Sequence, residues 1–521
     1  MAEARAEETG YMEQLGVYTE VPVAECWRVI GRAPVSTKWV EVNKGTEDKP
    51  DVRCRLVVRG FKPKGEKDRF DLFAAMPPLD AKKVLFQMAV SENLGKRRRG
   101  LPGIKVMLID VKKAHHQGCL KEDERAYTGL PDKPGVCGRL RRWLYGMRPA
   151  AGAWEEDYSN LLESLGFAKG VAHPTTFYRS ADKVRCVVHG DDFTFTGEKA
   201  ALKQVERDMR ARYDLKLRGV LGDEADDDKE ITILNRIIRW KAEGIEYEAD
   251  PRHAQAIMDY FGLGADSNGL DVPAVREKLG DAEAEEELPA SGAREFRSLA
   301  ARANYLASDR MDVQFAAKEA CRDMAKPRVA SVRKLKRLAR YLARYPRGTV
   351  LFEPAGDEGM GPVEVYTDSD WAGCPRSRKS TSGGMLFVGG GLVKSWSSTQ
   401  GTIALSSGEA ELMALVRAAT EGLGLQSLMA DLGWDRPLRL WTDSAAAKAI
   451  SSREGLGKTR HIETKYLWAQ RTVKRRRFSL SKVTGKEHPA DWLTKPGSAS
   501  FRAEDMGRWG LKLHSPCPHP S

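Results

Sequence analysis

Seven carboxylates fall into two sets along the 521-residue chain: Asp110 with the adjacent Asp191 and Asp192, and then Asp368, Glu411, Asp443 and Asp491. Acids that share a small volume repel one another, so each set calls for cations. Carboxylate oxygens are the ligands of hard divalent ions, Mg²⁺ or Mn²⁺. Two such ions can stabilise the attacking and leaving oxygens of an in-line displacement at phosphorus. The two sets therefore suggest two phosphoryl-transfer sites with two ions each, for nucleotidyl transfer or phosphodiester hydrolysis. A lone Asp-Asp in a turn is a weak signal, since Asp is a common turn residue. Its placement between two short strands strengthens it.

The elements that must position these acids follow from periodicity. Residues 52–61 read as a strand with arginines at its ends, and 79–92 as a helix begun by Pro77 and Pro78. Residues 105–109 read as a strand that delivers Asp110. In 150–167, Trp154, Tyr158, Leu161, Leu162 and Leu165 share a helical face, which core packing explains. Residues 185–196 form two short strands joined by a turn through Gly190, Asp191 and Asp192. The acidic stretches 222–230 and 280–287 read as exposed spacers, with a metal-ligand cluster as the alternative, and 293–345 as an extended helical region with dense Lys and Arg from 333 to 347. Those cations could track a nucleic-acid backbone or form a wet face. From 361 the pattern becomes strand, strand, strand, helix, strand, helix. Strand 362–368 ends at Asp368, Ser406 and Glu409 make a capping box, Glu411 lies on an otherwise apolar helical face, and strand 438–442 ends at Asp443. A buried Glu411 requires a partner.

The length fits about three to four domains. A formal net charge of +12, from 85 Lys plus Arg against 73 Asp plus Glu, favours a polyanionic partner. The eight cysteines have no C-x-x-C spacing and read as reduced intracellular thiols. The first ten residues lack a signal-peptide core, and no run approaches the roughly 18 apolar residues of a membrane span. The expectation is an intracellular chain, cytoplasmic or nuclear, without a membrane partner. The basic runs 96–99 and 474–477 read as phosphate-facing surface or as import signals.

Several stretches in order carry a family likeness: L-I-D-V-K-K-A-H-H-Q-G (108–118), R-L-R-R-W-L-Y-G-M-R-P-A-A-G-A-W (139–154) and V-V-H-G-D-D (187–192). They resemble the reverse transcriptase of copia-type LTR retrotransposons. Then Y-T-D-S-D-W-A-G, R-K-S-T-S-G-G, A-L-S-S-G-E-A-E-L-M-A, W-T-D-S-A-A-A, T-R-H-I-E-T-K-Y and P-A-D-W-L-T-K resemble the copia-type ribonuclease H domain. The likeness runs from about Trp27 to Pro496. It implies an α+β fold: an N-terminal segment (1–26), reverse-transcriptase fingers and palm (27–245), a helical thumb or connection region (246–360), a ribonuclease H-like mixed sheet with helices (361–496) and a tail (497–521).

By that resemblance the chain is an RNA-directed DNA polymerase with ribonuclease H activity. Its partners would be an RNA template, a DNA primer, deoxynucleoside triphosphates and the RNA·DNA hybrid. Asp110, Asp191 and Asp192 would bind two ions at a primer terminus, and Asp368, Glu411, Asp443 and Asp491 two ions that activate water against the RNA strand. Arg55 and Arg59 would contact triphosphate or stand as plain surface arginines. His461 would touch substrate, shuttle a proton, or be structural. Trp371 and Trp396 read as packing residues of the ribonuclease H sheet, with base stacking in a nucleic-acid cleft as the alternative. Three positions depart from the family pattern: His115 where Phe would lie under the nucleotide sugar, Pro149 in place of Gln, and His189-Gly190 before the paired acids. They point to an impaired polymerase side, with a hybrid nuclease alone or a non-catalytic nucleic-acid-binding remnant as alternatives. Capsid-type, protease and integrase modules are not seen, so a fragment or a decayed copy is expected.

Overall fold

The computed structural model describes every residue except 1, 44, 46–49, 61–71, 132, 265, 278–279, 357–358, 458–459, 498–505 and 516–521. Phe61 and Cys517 therefore lie outside the described residues. The architecture is α+β, and it divides into two compact units. One is built from Met1–Pro78, Leu108–Phe195 and Ala200–Arg218; the other from Leu79–Met107, Thr196–Lys199 and Gly219–Ser521.

The first acids belong to a six-stranded sheet in the order Leu215–Leu221, Ile104–Val111, Asp192–Glu198, Val184–His189, Thr176–Arg179, Ala168–Lys169. Strand Ile104–Val111 is buried at all but one position, as a run of Ile, Val, Met and Leu covered on both faces should be. The first unit also holds the hairpin Thr37–Asn43/Val52–Val58 and a three-stranded sheet of Tyr18–Pro22, Val136–Leu140 and Tyr127–Gly129.

In the second unit helices Pro251–Tyr260, Ala290–Ala307, Gln314–Arg322 and Val329–Arg344 bury one alanine- and leucine-rich core. A separate antiparallel sheet runs Glu230–Ile233, Arg236–Trp240, Ile245–Glu248, Arg347–Phe352 and Leu511–His514. The later acids sit on a mixed sheet in the order Gly391–Thr399, Thr381–Val388, Val363–Asp370, Leu438–Thr442, Ser479–Lys482. Its first three strands are antiparallel and its last two join in parallel. Helix Ser407–Asp431 packs on this sheet, where its Gly422 lies against Leu438 and Val365.

Three expectations need correction. The helix read as 79–92 runs Asp80–Arg97, because nothing breaks it before Gly100 turns left-handed at φ +66°. The stretch 222–230 is no spacer: Asp227 is buried against Lys105, and Asp223 accepts hydrogen bonds from Arg97 (2.8 Å), Asn93 (3.1 Å) and Lys105 (3.1 Å). Burial opposes ionisation of Asp223, yet these donors hold its carboxyl well below the usual range. The second stretch, 280–287, contains the short helix Ala282–Glu285, with Asp281 paired to Arg333 and Glu285 to Arg328 and Arg376. In the basic region 333–347, Arg333, Lys334, Arg344 and Arg347 are paired with acids, whereas Lys336 is exposed and Arg340 Nε donates to the Asn268 carbonyl at 3.0 Å.

Candidate active sites

Asp110 ends the second strand of the six-stranded sheet, and the Asp191 turn lies alongside it. The Val111 N–H donates to the Asp191 carbonyl at 3.0 Å, which ties the two acid-bearing segments together through backbone. Gly190 adopts φ +68°, a conformation that L side chains rarely take. Its carbonyl accepts from the Trp154 indole N–H at 2.8 Å. Trp154 is buried and packs edge-on against Tyr158, Phe193 and Tyr213. The helical face read as plain core therefore also holds the acid turn still. Glycine is what the turn conformation needs, so its freedom is spent rather than left loose.

Arg218, on the edge strand beside Asp110, donates its Nη2–H to Asp110 Oδ2. Among the described residues, acid triplets whose ligand oxygens all lie within 4.8 Å are Glu224, Asp226 and Asp227, and Asp368, Glu411 and Asp443. Asp110, Asp191 and Asp192 do not reach that spacing. The first triplet is already served by side-chain cations, Lys105 on Asp227 and Lys199 on Asp226.

Around the Asp110 site, the Arg55 guanidinium lies 5.0 Å over the Tyr145 ring, and the His115 ring 5.1 Å from the same ring. Burial lowers the His115 pKa against the pull of Asp191, so its ring favours the neutral form. Burial pushes the Tyr145 hydroxyl up to about 12. Arg59 is tied by its backbone N–H to the Ser36 carbonyl at 2.8 Å. Pro149 precedes helix Ala150–Ser164 at φ −74°, and its carbonyl accepts from the Ala153 N–H at 2.9 Å. Its ring suits a helix start, where no N–H is required.

The C-terminal site is tighter. Asp368 leaves the central strand, Glu411 enters from helix Ser407–Asp431, and Asp443 follows the parallel strand Leu438–Thr442. Glu411 Oε1 accepts from the Ser369 N–H (3.1 Å) and Oγ–H (2.9 Å), while the buried Glu411 Oε2 has no hydrogen-bond partner. Burial, then Glu411 and Asp491, raise the Asp368 pKa to about 8; burial chiefly raises that of Glu411 to about 7. An all-oxygen donor set, buried, mutually repelling and with one orphaned oxygen, fits a hard divalent cation.

Asp491 stands at the rim, bonded to Lys495 Nζ at 3.0 Å; that ammonium lies 4.0 Å from Asp368. Thr494 donates its hydroxyl to Asp368 Oδ2. His488 is buried, accepts from the Ala490 N–H through Nδ1 at 3.2 Å and leaves Nε2 without a partner. Asp443 and Asp491 draw its pKa up while burial, the larger effect, lowers it. His488, Thr494 and Lys495 were missed from sequence, although all three flank Asp491; Arg218 carried no signal. His461 Nε2 lies 3.4 Å from Glu409 Oε2. Only half of the capping box forms: Ser406 Oγ accepts from the Glu409 N–H at 3.2 Å, but the Glu409 carboxylate accepts from Leu405 N–H at 2.7 Å. Trp396 is buried as expected. Trp371 is not a packing residue, since it is 54% exposed.

Residues 25–226 match the family described as reverse transcriptase (RNA-dependent DNA polymerase). The chain is 24% identical over 523 residues to the retrovirus-related Pol polyprotein from transposon TNT 1-94 of Nicotiana tabacum, covering 95% of this chain and 36% of that protein. It is 25% identical over 482 residues to the corresponding polyprotein from transposon RE1 of Arabidopsis thaliana, covering 89% and 31%. The chain thus spans about a third of the length of these relatives. Among solved structures, the foamy viral protease-reverse transcriptase in complex with dsDNA aligns with a TM-score of 0.50 at 12% identity, covering 93% of this chain and 83% of that one. That likeness concerns the fold. No helix among the described residues is long and apolar enough to cross a membrane.

Proposed function

We propose that this chain, which carries the reverse transcriptase domain of the copia-type retrotransposon Pol proteins, extends a DNA primer on an RNA template at Asp110, Asp191 and Asp192 and hydrolyses the RNA of the resulting hybrid at Asp368, Glu411, Asp443 and Asp491. The observation that carries this reading is the backbone bond from Val111 to Asp191, which sets Asp110 beside the Asp-Asp turn inside the matched segment. The hydrolytic half rests on the convergence of buried Asp368 and Glu411 with half-buried Asp443.

Divalent ions bound by these acids would supply charge stabilisation at the attacking and leaving oxygens, Mg²⁺ being the hard ion that carboxylates suit. The side chains have their own tasks. Arg218 must release Asp110 before that carboxylate can serve as a ligand. Asp368 and Glu411 must shed the protons that burial favours, and Lys495 must yield its place near Asp368. Ser369 holds Glu411 Oε1 so that Oε2 faces the site. His115, Arg55 and Tyr145 form a stacked wall suited to a nucleotide sugar and its phosphates.

Nothing in the geometry favours a non-catalytic remnant, which would have no need of a buried acid triplet. Primer extension on an RNA template and cleavage of a labelled hybrid, each in Mg²⁺, test the proposal beside Asp191→Asn and Asp443→Asn. Loss of extension alone in the first and of cleavage alone in the second is expected. An unaltered chain that neither extends nor cleaves refutes it.

A further inference from the structure

The N-terminal helix Ala2–Gln14 lies ahead of the matched segment 25–226, yet it reaches the wall beside the Asp110 site. Two of its residues are buried, Met12 and Glu8, the latter only 1% exposed. Met12 and the following Val17 share an apolar cluster with Leu56 and Leu144, which adjoin Arg55 and Tyr145 in sequence. That cluster explains Met12 but not a carboxylate.

Glu8 Oε2 accepts from the Lys113 ammonium. Lys113 is left-handed, with φ +51° and ψ 38°, and its carbonyl accepts from the His116 N–H at 2.8 Å to open the turn Ala114–His116. A residue with a Cβ is strained in that conformation, so its surroundings must hold it there. His116 is wholly buried behind the turn; its ring meets Tyr145 edge-on at 4.7 Å, and its Nδ1 lies 3.1 Å from the Trp143 carbonyl. A carbonyl only accepts, so Nδ1 carries the proton and the neutral ring turns a lone pair at Nε2 toward Glu8 Oε1, 3.8 Å away. Neither of those two atoms has a hydrogen-bond partner. Burial lowers the His116 pKa to about 4, so the ring supplies no charge, and Lys113 is what engages the carboxylate. A buried acid with one unsatisfied oxygen is a costly way to fill a core position, and what it supplies here is a fixed end for Lys113. His115 stands inside the same turn, its ring 5.1 Å from that of Tyr145, so its place depends on the turn and the turn on Glu8.

We propose that Glu8 is a positioning residue for nucleotide selection at the Asp110 site: by holding Lys113 left-handed it sets the turn that places His115 against Tyr145, where the ring screens the sugar of the incoming nucleotide. This rests on the polymerase half of the proposed function. Glu8 touches no substrate, so its loss leaves extension possible and blurs which sugar is accepted.

Single-nucleotide extension of a DNA primer on an RNA template by the full chain in Mg²⁺, with matched deoxy- and ribonucleoside triphosphates, tests it through the ratio of their kcat/KM values. A fraction of unfolded chain cancels from that ratio, because both nucleotides meet the same active enzyme. Glu8→Gln should lower the deoxy preference roughly tenfold, the size expected when a pocket loses its fit, and chiefly through the KM values. Lys113→Met should do the same, and the double variant should be no worse than either single one, as for two residues that act as a unit. In a His115→Ala background Glu8→Gln should change nothing further. An unchanged ratio in either single variant, or a fall that persists in the His115→Ala background, overturns the positioning role. If the unaltered chain never extends, Kd values of the two triphosphates on the primed template in Ca²⁺ separate the readings. A deoxy preference that Glu8→Gln abolishes would then overturn the polymerase reading and support the positioning; no preference, or one that Glu8→Gln keeps, overturns both.

Discussion

The two acid sites answer the same electrostatic problem in different ways. At Asp110 the acids are spread out and half-exposed, and Arg218 lies on the first of them as a side-chain counterion. At Asp368, Glu411 and Asp443 the oxygens are crowded, two of the acids being buried and Asp443 half-buried, and repulsion is relieved chiefly by protons, with Asp368 raised to about 8 and Glu411 to about 7. An open site can neutralise itself with a flexible cation that water helps to release. The tighter site keeps its side-chain cation at the rim, with Lys495 Nζ 4.0 Å from Asp368, and its acids hold protons until a metal cation replaces them. The difference teaches that ions meet a competing arginine at one site, and chiefly competing protons with Lys495 at the rim at the other.

The harshest way to break the comparison is to remove a ligand. Asp443→Asn should reduce hybrid cleavage to background while primer extension persists, and Asp191→Asn should do the reverse; loss of both activities in either variant would show that the sites are not separate. Next comes the anchor of the open site. Trp154→Phe orphans the Gly190 carbonyl, so it should destabilise the first unit by about 1–3 kcal/mol in denaturant unfolding and slow extension, with cleavage unaltered. If both activities fell together, the indole would be general core and not a turn anchor.

The proton answer is sharpened by pH. In the folded chain burial, then Glu411 and Asp491, raise the Asp368 carboxyl to about 8, from an ordinary value of 3.8 that the unfolded chain keeps. Between those values the folded state holds a proton that the unfolded state has lost, so stability contributed by this group is full below about 4 and falls as pH rises toward 8. In EDTA, unfolding midpoints should therefore drop over that window, and Asp368→Asn should flatten the drop. A wild-type profile no steeper than the variant's would remove proton relief from the account. The smallest effect concerns Arg218→Met. An exposed pair is worth about 0.2–1 kcal/mol, so half-saturating Mg²⁺ for extension should fall by about 1.5- to 5-fold. An unchanged or higher Mg²⁺ requirement would mean that Arg218 does not compete with the ion.

Much of this was legible in the residues. Apolar alternation and turn chemistry located the Asp110 strand, the Asp191 turn, the strand that carries Asp368, though it runs on to Asp370, and the strand ending just before Asp443, because each is a local pattern. Glu411 was legible as a buried acid from its helical face. The ionic stretch 222–230 was not, since acidic composition looks the same in a spacer and in a charge network; only its partners Arg97, Asn93 and Lys105 distinguish them. Trp371 went astray because hydrophobicity alone does not say which side of a sheet edge faces water, and the loop after Asp370 turns the ring outward.

The sequence by itself determined which carboxylates exist and which strand or helix ends present them, because backbone periodicity and turn preference act over a few residues. Tertiary structure alone decided their company: Arg218 on Asp110, Trp154 under Gly190, and His488, Thr494 and Lys495 around Asp368 and Asp491. Charge and protonation depend on distances across chain segments far apart in order, and only packing sets those distances.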